Sequence, residues 1–453
     1  MRGRRALCQV QGGWAMIQGS RKRWISGLTS LLLLAACLIV EAGPITCCAL
    51  AAGAKRAPTG QGPLAALPSQ PGPHIAKIQA LKDHCWLELG PPAPDPKWGR
   101  ARGRSWTSEM PLAPEFRGAF LYGEGQHGYT KPDGHYMDDL WFYDINAHRW
   151  ICCYPGAAAK TLRLRLNADG FEATPAGDPI PVAQQAHGYE MNTYDTDGKR
   201  LLSMPNTHPY WENAMPQRRQ WLKPPPEDAS PWMFETVTGK WLRLRTGTPG
   251  PQSSYGDTLI YLPERKQAFF LHRNQEVWIY DSRTNKWRNV EPKGPQPPFG
   301  IDATSCYDST RHRIYIGGGS YPVAPAGSHA FWVYDLAANT WIDPKPKGSP
   351  CKGSNSYPTK NAVMVYDPVD DKVLLVFHSF HDDKPERLGV YVYDPNADAW
   401  ADEATPVPEK LGHNRQAKNG CYDPELGVVF IHSAGDSQDD GTIWVYRHRR
   451  ARQ

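Results

Sequence analysis

The sequence predicts an all-β protein, a β-propeller of six four-stranded blades closed by an N-terminal strand that completes the last blade. Three observations carry this. An apolar-aromatic segment, a turn and then a Trp recur along the chain, and in five copies the aromatic at the Tyr position and the Trp stand seven residues apart. A second hairpin, marked by its own Tyr-Asp pair, precedes most copies, so each unit holds four antiparallel strands. Six third strands are countable but only five fourth-strand tryptophans follow them, and a further Trp stands ahead of the first copy.

The copies run in order. Leu140–Asp144 is followed by Trp150, and Trp232–Glu235 by Trp241, with Phe234 in the Tyr position. Val277–Asp281 precedes Trp287, Phe331–Asp335 precedes Trp341, and Val390–Asp394 precedes Trp400. Ile443–Tyr446 has no Trp after it. The preceding hairpins carry Tyr194-Asp195, Tyr307-Asp308, Tyr366-Asp367 and Tyr422-Asp423, while the third unit has Tyr261 without the Asp. A single four-stranded sheet cannot cover both its faces, so neighbouring units must stack. Trp86, in His84–Leu89, supplies the missing fourth strand, and pairing it with the last unit closes the ring without an open seam.

Around this body, residues 1–54 read as a signal or anchor, 55–84 as a flexible tether and 85–449 as the propeller. Arg21-Lys22-Arg23 precede an apolar run from Ile25 to Val40, the layout of an export signal and short for a membrane span. Leu34-Ala35-Ala36-Cys37 resembles a lipobox, which would put a lipid on Cys37. Ala49-Leu50-Ala51 offers an ordinary cleavage site instead, and an uncleaved N-terminal membrane anchor is the third possibility. A periplasmic, cell-surface or secreted location follows. Pro, Gly, Ala and Gln dominate Lys55 to Pro73, the composition of a tether.

The net charge of +5 sits in the first 54 residues; the remainder carries 45 basic and 45 acidic residues. A neutral body lacks the field that phosphate-backbone binding needs, so no nucleic-acid partner is expected. The arginines from Arg447 to Arg452 read as a solvated end. Cys306 and Cys421, each before a Tyr-Asp pair, read as equivalent packing residues, and Cys152 and Cys153 point to opposite faces of a strand.

The unit resembles the kelch repeat over roughly residues 85–447. Its marks are the glycine-rich end of the second strand, kept as Gly317-Gly318-Gly319, the aromatic third strand and the fourth-strand Trp. His272, His378 and His432 replace those glycines in three other units. The resemblance implies the galactose-oxidase central-domain fold, which serves binding scaffolds, a sialic acid mutarotase and an oxidase, so it leaves function open. Positions on second strands of different blades lie about 10 Å or more apart, too far for one ion to bridge, so neither metal nor cofactor is expected.

In such a ring the blade-joining loops and the loops between second and third strands share one face. The expected ligand-binding residues there are Gln185, Tyr255, Asp302, Tyr357 and Asn414, with His208, Trp211 and Trp221 on the long loop of the second blade. Arg100, Arg102 and Arg104 add guanidinium groups. His187, His413 and Arg415 are the candidates for proton transfer beside an anion site. Two functions remain open. One is an exported, monomeric binding or scaffold module for a carbohydrate or an extracytoplasmic protein. The other is a small sugar-active enzyme, isomerase- or mutarotase-like, with an axial pocket.

Overall fold

The computed structural model describes residues 62–450 except 105–106, 124–129, 162, 182–187, 189, 206–228, 248, 252, 254–255, 273–275, 298–300, 322–330, 349–361, 378–388, 402–403, 413–415 and 436; it also leaves out the side chains of 301–303, 318–321, 377, 412 and 416–417. Strand β1 (Cys85–Gly90) comes first. The first blade is β2 (Leu112–Ala113), β3 (Gly118–Leu121), β4 (Leu140–Asp144) and β5 (Arg149–Tyr154). A small hairpin follows, β6 (Arg165–Leu166) and β7 (Glu172–Ala173), turning at Asn167–Gly170. The second blade is β8 (Asn192–Asp195), β9 (Arg200–Ser203), β10 (Trp232–Glu235) and β11 (Lys240–Leu242).

The third blade holds β12 (Thr258–Leu262), β13 (Gln267–Leu271), β14 (Val277–Asp281) and β15 (Lys286–Val290). The fourth holds β16 (Ile301–Asp308), β17 (Arg313–Tyr321), β18 (Phe331–Asp335) and β19 (Thr340–Ile342). The fifth holds β20 (Val363–Asp367), β21 (Lys372–Phe377), β22 (Gly389–Asp394) and β23 (Ala399–Trp400). The sixth is β24 (Gln416–Asp423), β25 (Val428–Gly435) and β26 (Thr442–Arg447), and its outer strand is β1, with Trp86 opposite Tyr446. Each sheet is antiparallel throughout.

One turn design builds most hairpins. An Asp ends the strand and its Oδ1 accepts the amides two and three residues on, as Asp308 does from Thr310 and Arg311, and Asp394 from Asn396 and Ala397. The fourth residue after the Asp is left-handed: His148, Lys199, Asn285, His312, Asn339, Asp371, Asp398 and Gly427. Such a turn lets an ordered four-residue loop reverse the chain while the side-chain carboxylate satisfies its free amides.

The core lies between blades. Apolar clusters join the first blade to the second, the second to the third, and so on to the fifth and sixth; a further cluster joins the sixth to the first. Each fourth-strand Trp packs into the cluster on the side of the preceding blade: Trp150, Trp241, Trp287, Trp341 and Trp400. Trp86 takes that place between the fifth and sixth blades, its ring centroid 4.8 Å from that of Tyr446. The constant Tyr-to-Trp spacing therefore encodes the packing of one blade on the next. Cys306 and Cys421 are buried in these clusters, and Cys152 and Cys153 contribute to clusters on opposite sides of the first blade.

A second set of contacts runs round the ring. The inner-strand tyrosines donate their hydroxyls to the first turn of the preceding blade: Tyr194 to Glu115 (2.6 Å), Tyr261 to Asp197 (2.9 Å), Tyr307 to Glu264, Tyr366 to Thr310 (2.8 Å) and Tyr422 to Asp367 (2.6 Å). Between the sixth and first blades Arg117 replaces the tyrosine, holding both oxygens of Asp423 at 3.1 and 2.8 Å.

Two expectations are corrected. From residue 62 onward the expected tether packs on the ring: Leu64 and Leu67 are buried between the first and second blades, and helix α1 (Pro73–Ala80) buries Ile75 and Ile78 between the sixth and first. Ser69 binds Asp144 at 2.6 Å, and Gly72 N–H binds the Asn146 carbonyl at 2.8 Å. Composition alone hid these few apolar anchors. The arginine tail is likewise engaged: Arg447 binds the Ile78 carbonyl, and Arg450 binds those of Ala80 and Leu81, covering the C-terminal end of the helix.

Asp423 is wholly buried and carries two duties: it caps its turn and accepts Arg117. Asp423→Ala is expected to lower the unfolding free energy by about 3 kcal/mol, because it leaves the mostly buried Arg117 guanidinium with only the exposed Glu425 as an ionic partner. Arg283→Ala, which removes an exposed pair with Asp281, is expected to leave the denaturant midpoint unchanged. Equal midpoints for the two variants in denaturant titration would show that the seam contact is not stabilising.

Candidate functional site

The inner strands enclose a cavity of about 540 Å³ on the ring axis. All six contribute: Leu112, Thr193, Ile260, Ser305 to Tyr307, Met364 to Tyr366, and Gly420 to Tyr422. First-turn residues Pro263, Glu264, Ser309, Pro368 and Pro424 also line it. The cavity therefore reaches toward the face of the first turns, opposite the blade-joining loops where the sequence places the ligand.

Glu109 lines its deep end, and Glu190 stands beside Glu109, bound to the lining residue Ser305. The segment before β2 runs beside β24, with Gly420 N–H on the Ser108 carbonyl at 3.0 Å and Met110 N–H on the Gly420 carbonyl at 2.8 Å. Gly420 is required here, since a Cβ would lie 2.8 Å from Ile431, from the Phe430 carbonyl and from Val363. This pairing brings Glu109 to the cavity, where its Oε1 accepts the Asn192 amide at 3.2 Å. Glu190 enters from the second blade, its carbonyl bound by Leu259 N–H at 2.7 Å. Its carboxylate passes the third blade and binds the fourth, taking Thr304 Oγ1 at 2.7 Å, Ser305 N–H at 2.9 Å and the Ser305 hydroxyl.

Both carboxyls hold their protons more tightly than usual. Burial raises Glu190 to about 7, against the lowering pull of Ser305 and Thr304. Burial raises Glu109 well above its ordinary value, and the neighbouring Glu190 charge raises it further. Two mutually repelling acids in a low-dielectric site titrate as a pair. Burial also lowers Lys418, two residues before Gly420, to about 7. The arrangement offers proton donation and acceptance near neutral pH, together with a carboxylate for a ligand in the cavity.

Almost all the expected site residues lie outside the described residues: His187, His413, Arg415, Gln185, Tyr255, Tyr357, Asn414, His208, Trp211 and Trp221, as does Cys37. Asp302 lies in β16 at a register shift, its side chain undescribed. The three arginines of the first blade are engaged within the fold. Arg100 Nε binds the Pro92 carbonyl, Arg102 binds the Ser437 carbonyl, and Arg104 is fully buried on Asp139 beside Lys131. His272 pairs with Asp257 at 3.0 Å. His432 is fully buried against Trp150, and burial lowers it to about 3. Among the described residues no group of acids, cysteines and histidines has the geometry to hold a metal ion.

The sequence reading missed Glu109 and Glu190. A signal existed: both precede a methionine at the entry to an inner strand, as Glu109-Met110 and Glu190-Met191.

No family model matches the chain. No curated protein matches it either. Among solved structures, the chain is similar to an auxiliary nutrient binding protein from Bacteroides thetaiotaomicron VPI-5482, at 10% identity over 80% of this chain and 75% of that one, with a TM-score of 0.44. A likeness of this degree adds nothing to the functional argument.

The raised Glu190 has a defined consequence. Below its ordinary value of 4.5 it is protonated folded and unfolded alike. As pH rises toward 7, the unfolded chain has lost a proton that the folded one retains, so Glu190 lowers stability progressively. Glu190→Gln removes that loss. Its melting-temperature advantage over the parent is expected to grow between about pH 5 and pH 8. A pH-independent difference in calorimetry would contradict the buried-acid assignment.

Proposed function

We propose that this protein is an exported binding module of kelch type that holds a small ligand on its axis. One observation carries the reading: a cavity lined by the inner strands of all six blades ends at a carboxyl that faces it and accepts one described hydrogen bond. A volume of about 540 Å³ falls in the range of small-molecule sites. Apolar walls with a few polar groups are the usual composition of such sites. The ring fixes these walls from many sides at once, so the site is preformed and ordering it on binding costs little.

The same proposal assigns the blade-joining face to a carbohydrate or an extracytoplasmic protein. Gln185, Tyr255, Asp302, Tyr357 and Asn414 would supply polar contacts there, and His208, Trp211 and Trp221 would supply stacking. Export by the N-terminal segment, with a lipid on Cys37 or cleavage after Ala51, belongs to this reading, as does a monomeric state.

A second reading is favoured by the proton held at Glu190. An acid near neutrality facing a second carboxyl suits general acid–base transfer. The chain would then be a sugar isomerase- or mutarotase-like enzyme, with Glu190 and Glu109 in the roles expected of His187 and His413, and Arg415 as the anion contact.

Ile260→Trp narrows the cavity from the third blade. A thermal-shift screen of monosaccharides, small carboxylic acids and amines is expected to yield ligands that stabilise the parent and not this variant. If every ligand found stabilises both proteins equally, the axial site is not the binding site. The enzyme reading expects turnover of a ligand so found, reduced by about 100-fold or more in Glu190→Gln. Saturable binding with no turnover decides for the binding module.

A further inference from the structure

We propose that the axial cavity takes a small organic ammonium ion, its charged head on Glu109 and its apolar body along the inner strands. This rests on the cavity being a ligand site and adds the chemical class of the ligand.

Charge balance carries the inference. The described lining contains Glu109 and Glu264 but no Lys, Arg or His. Glu264 stands at the first-turn end, where it accepts the Tyr307 hydroxyl and faces His312 at 3.4 Å. At the deep end Glu109 stands close to Glu190, with Cys306 on the fourth blade and Cys421 on the sixth lining the same cavity. None of these carries a positive charge. A cation entering here meets acid on two sides and no competing positive charge from the described lining.

The state of the wall's hydrogen bonds separates a cation from a polyol. Thr193 Oγ1 already accepts the Tyr261 amide at 2.9 Å, and the Ser305 hydroxyl is bound to Glu190. Tyr366 donates to Thr310 and lies 2.7 Å from Asp371, and Tyr422 donates to Asp367. A sugar would need partners in several directions from groups already engaged. An alkylammonium needs one carboxylate and apolar walls, and Met110, Leu112, Ile260, Met364 and Val365 provide them. Tyr307, Tyr366 and Tyr422 line the same space, and aromatic rings attract cations.

Binding must also displace a proton. The free acid pair keeps one because two adjacent charges repel; a bound ammonium stabilises both carboxylates and releases it. Affinity therefore rises with pH while the amine stays protonated.

The test uses the full chain and three probes of one length: n-butylammonium, butan-1-ol and butyrate. Calorimetry at about pH 8, in two buffers of different ionisation enthalpy, is expected to show saturable butylammonium binding with proton release. Butanol is expected to bind about tenfold more weakly or less, and butyrate not at all. Glu109→Gln should reduce amine affinity about tenfold and leave the alcohol unchanged. Glu109→Asp, which keeps the charge, should retain the preference for amine over alcohol. Equal affinity for amine and alcohol, or unchanged amine affinity in Glu109→Gln, overturns the cation assignment and leaves the cavity reading standing. Binding that persists in Ile260→Trp, or no binding by any of the three probes, removes both.

Discussion

The ring depends on one repeated contact, the hydrogen bond from an inner-strand tyrosine to the first turn of the blade before it. Apolar packing between blades is strong but undirected, and it tolerates small changes in tilt. The tyrosine hydroxyls act near the axis, where a small angular error would accumulate round the circle. Each ties a turn to the strand of its neighbour, and the turns at Asp195, Asp308 and Asp367 are themselves stiffened by a capping carboxylate. At the seam the requirement is greatest, since the first and sixth blades are far apart in the chain. There the tyrosine contact gives way to a two-point ion pair, Arg117 on Asp423, and β1 adds a backbone ladder.

The same closure creates the site. An inner strand has a free edge, and its unpaired amides face the axis instead of another strand. Those amides require acceptors when buried. Glu190 serves Ser305 N–H and Glu109 serves Asn192 N–H, so each carboxyl links blades that share no sheet. A neutral side chain such as Gln would satisfy the same amides with less electrostatic strain. The presence of two buried acids, with the charge of Glu190 raising the proton affinity of Glu109, is therefore more than edge repair. Destabilising charge retained in a preformed cavity is the pattern of a functional site.

Most of the fold was legible because it is repetitive. Tyr-to-Trp spacing reports the distance from the third strand to a packing position on the neighbouring blade, and Trp86 obeys it across the whole chain. Tyr-Asp pairs were legible as turns, but their second meaning was not: the Tyr partner lies in another repeat, as with Tyr422 and Asp367. The N-terminal segment was misread because Leu64, Leu67, Ile75 and Ile78 are few anchors in a Pro- and Gly-rich stretch. Their stabilising effect comes from a groove that exists only once the ring has formed. The acid pair was hidden for a related reason. Glu109 and Glu190 lie in different units and meet only at the axis, and charged residues before a strand ordinarily read as solvated loop.

A division of labour follows from where variation falls. The turns on one face repeat one design, and the inner-strand tyrosines hold them to a common geometry. The strand entries toward the axis do not repeat: Glu190 and Lys418 occupy the fifth position before the turn Asp in their blades, where the fourth and fifth blades carry Ala303 and Ala362. Packing alone would favour the same small residue in every blade, because the ring brings equivalent positions into equivalent surroundings. Different charges at equivalent positions break that symmetry at the expense of desolvation, raising Glu190 and lowering Lys418 toward the same value near 7. A symmetric scaffold that binds one asymmetric molecule must break its symmetry somewhere, and here the break lies in the strand entries that carry Glu190 and Lys418.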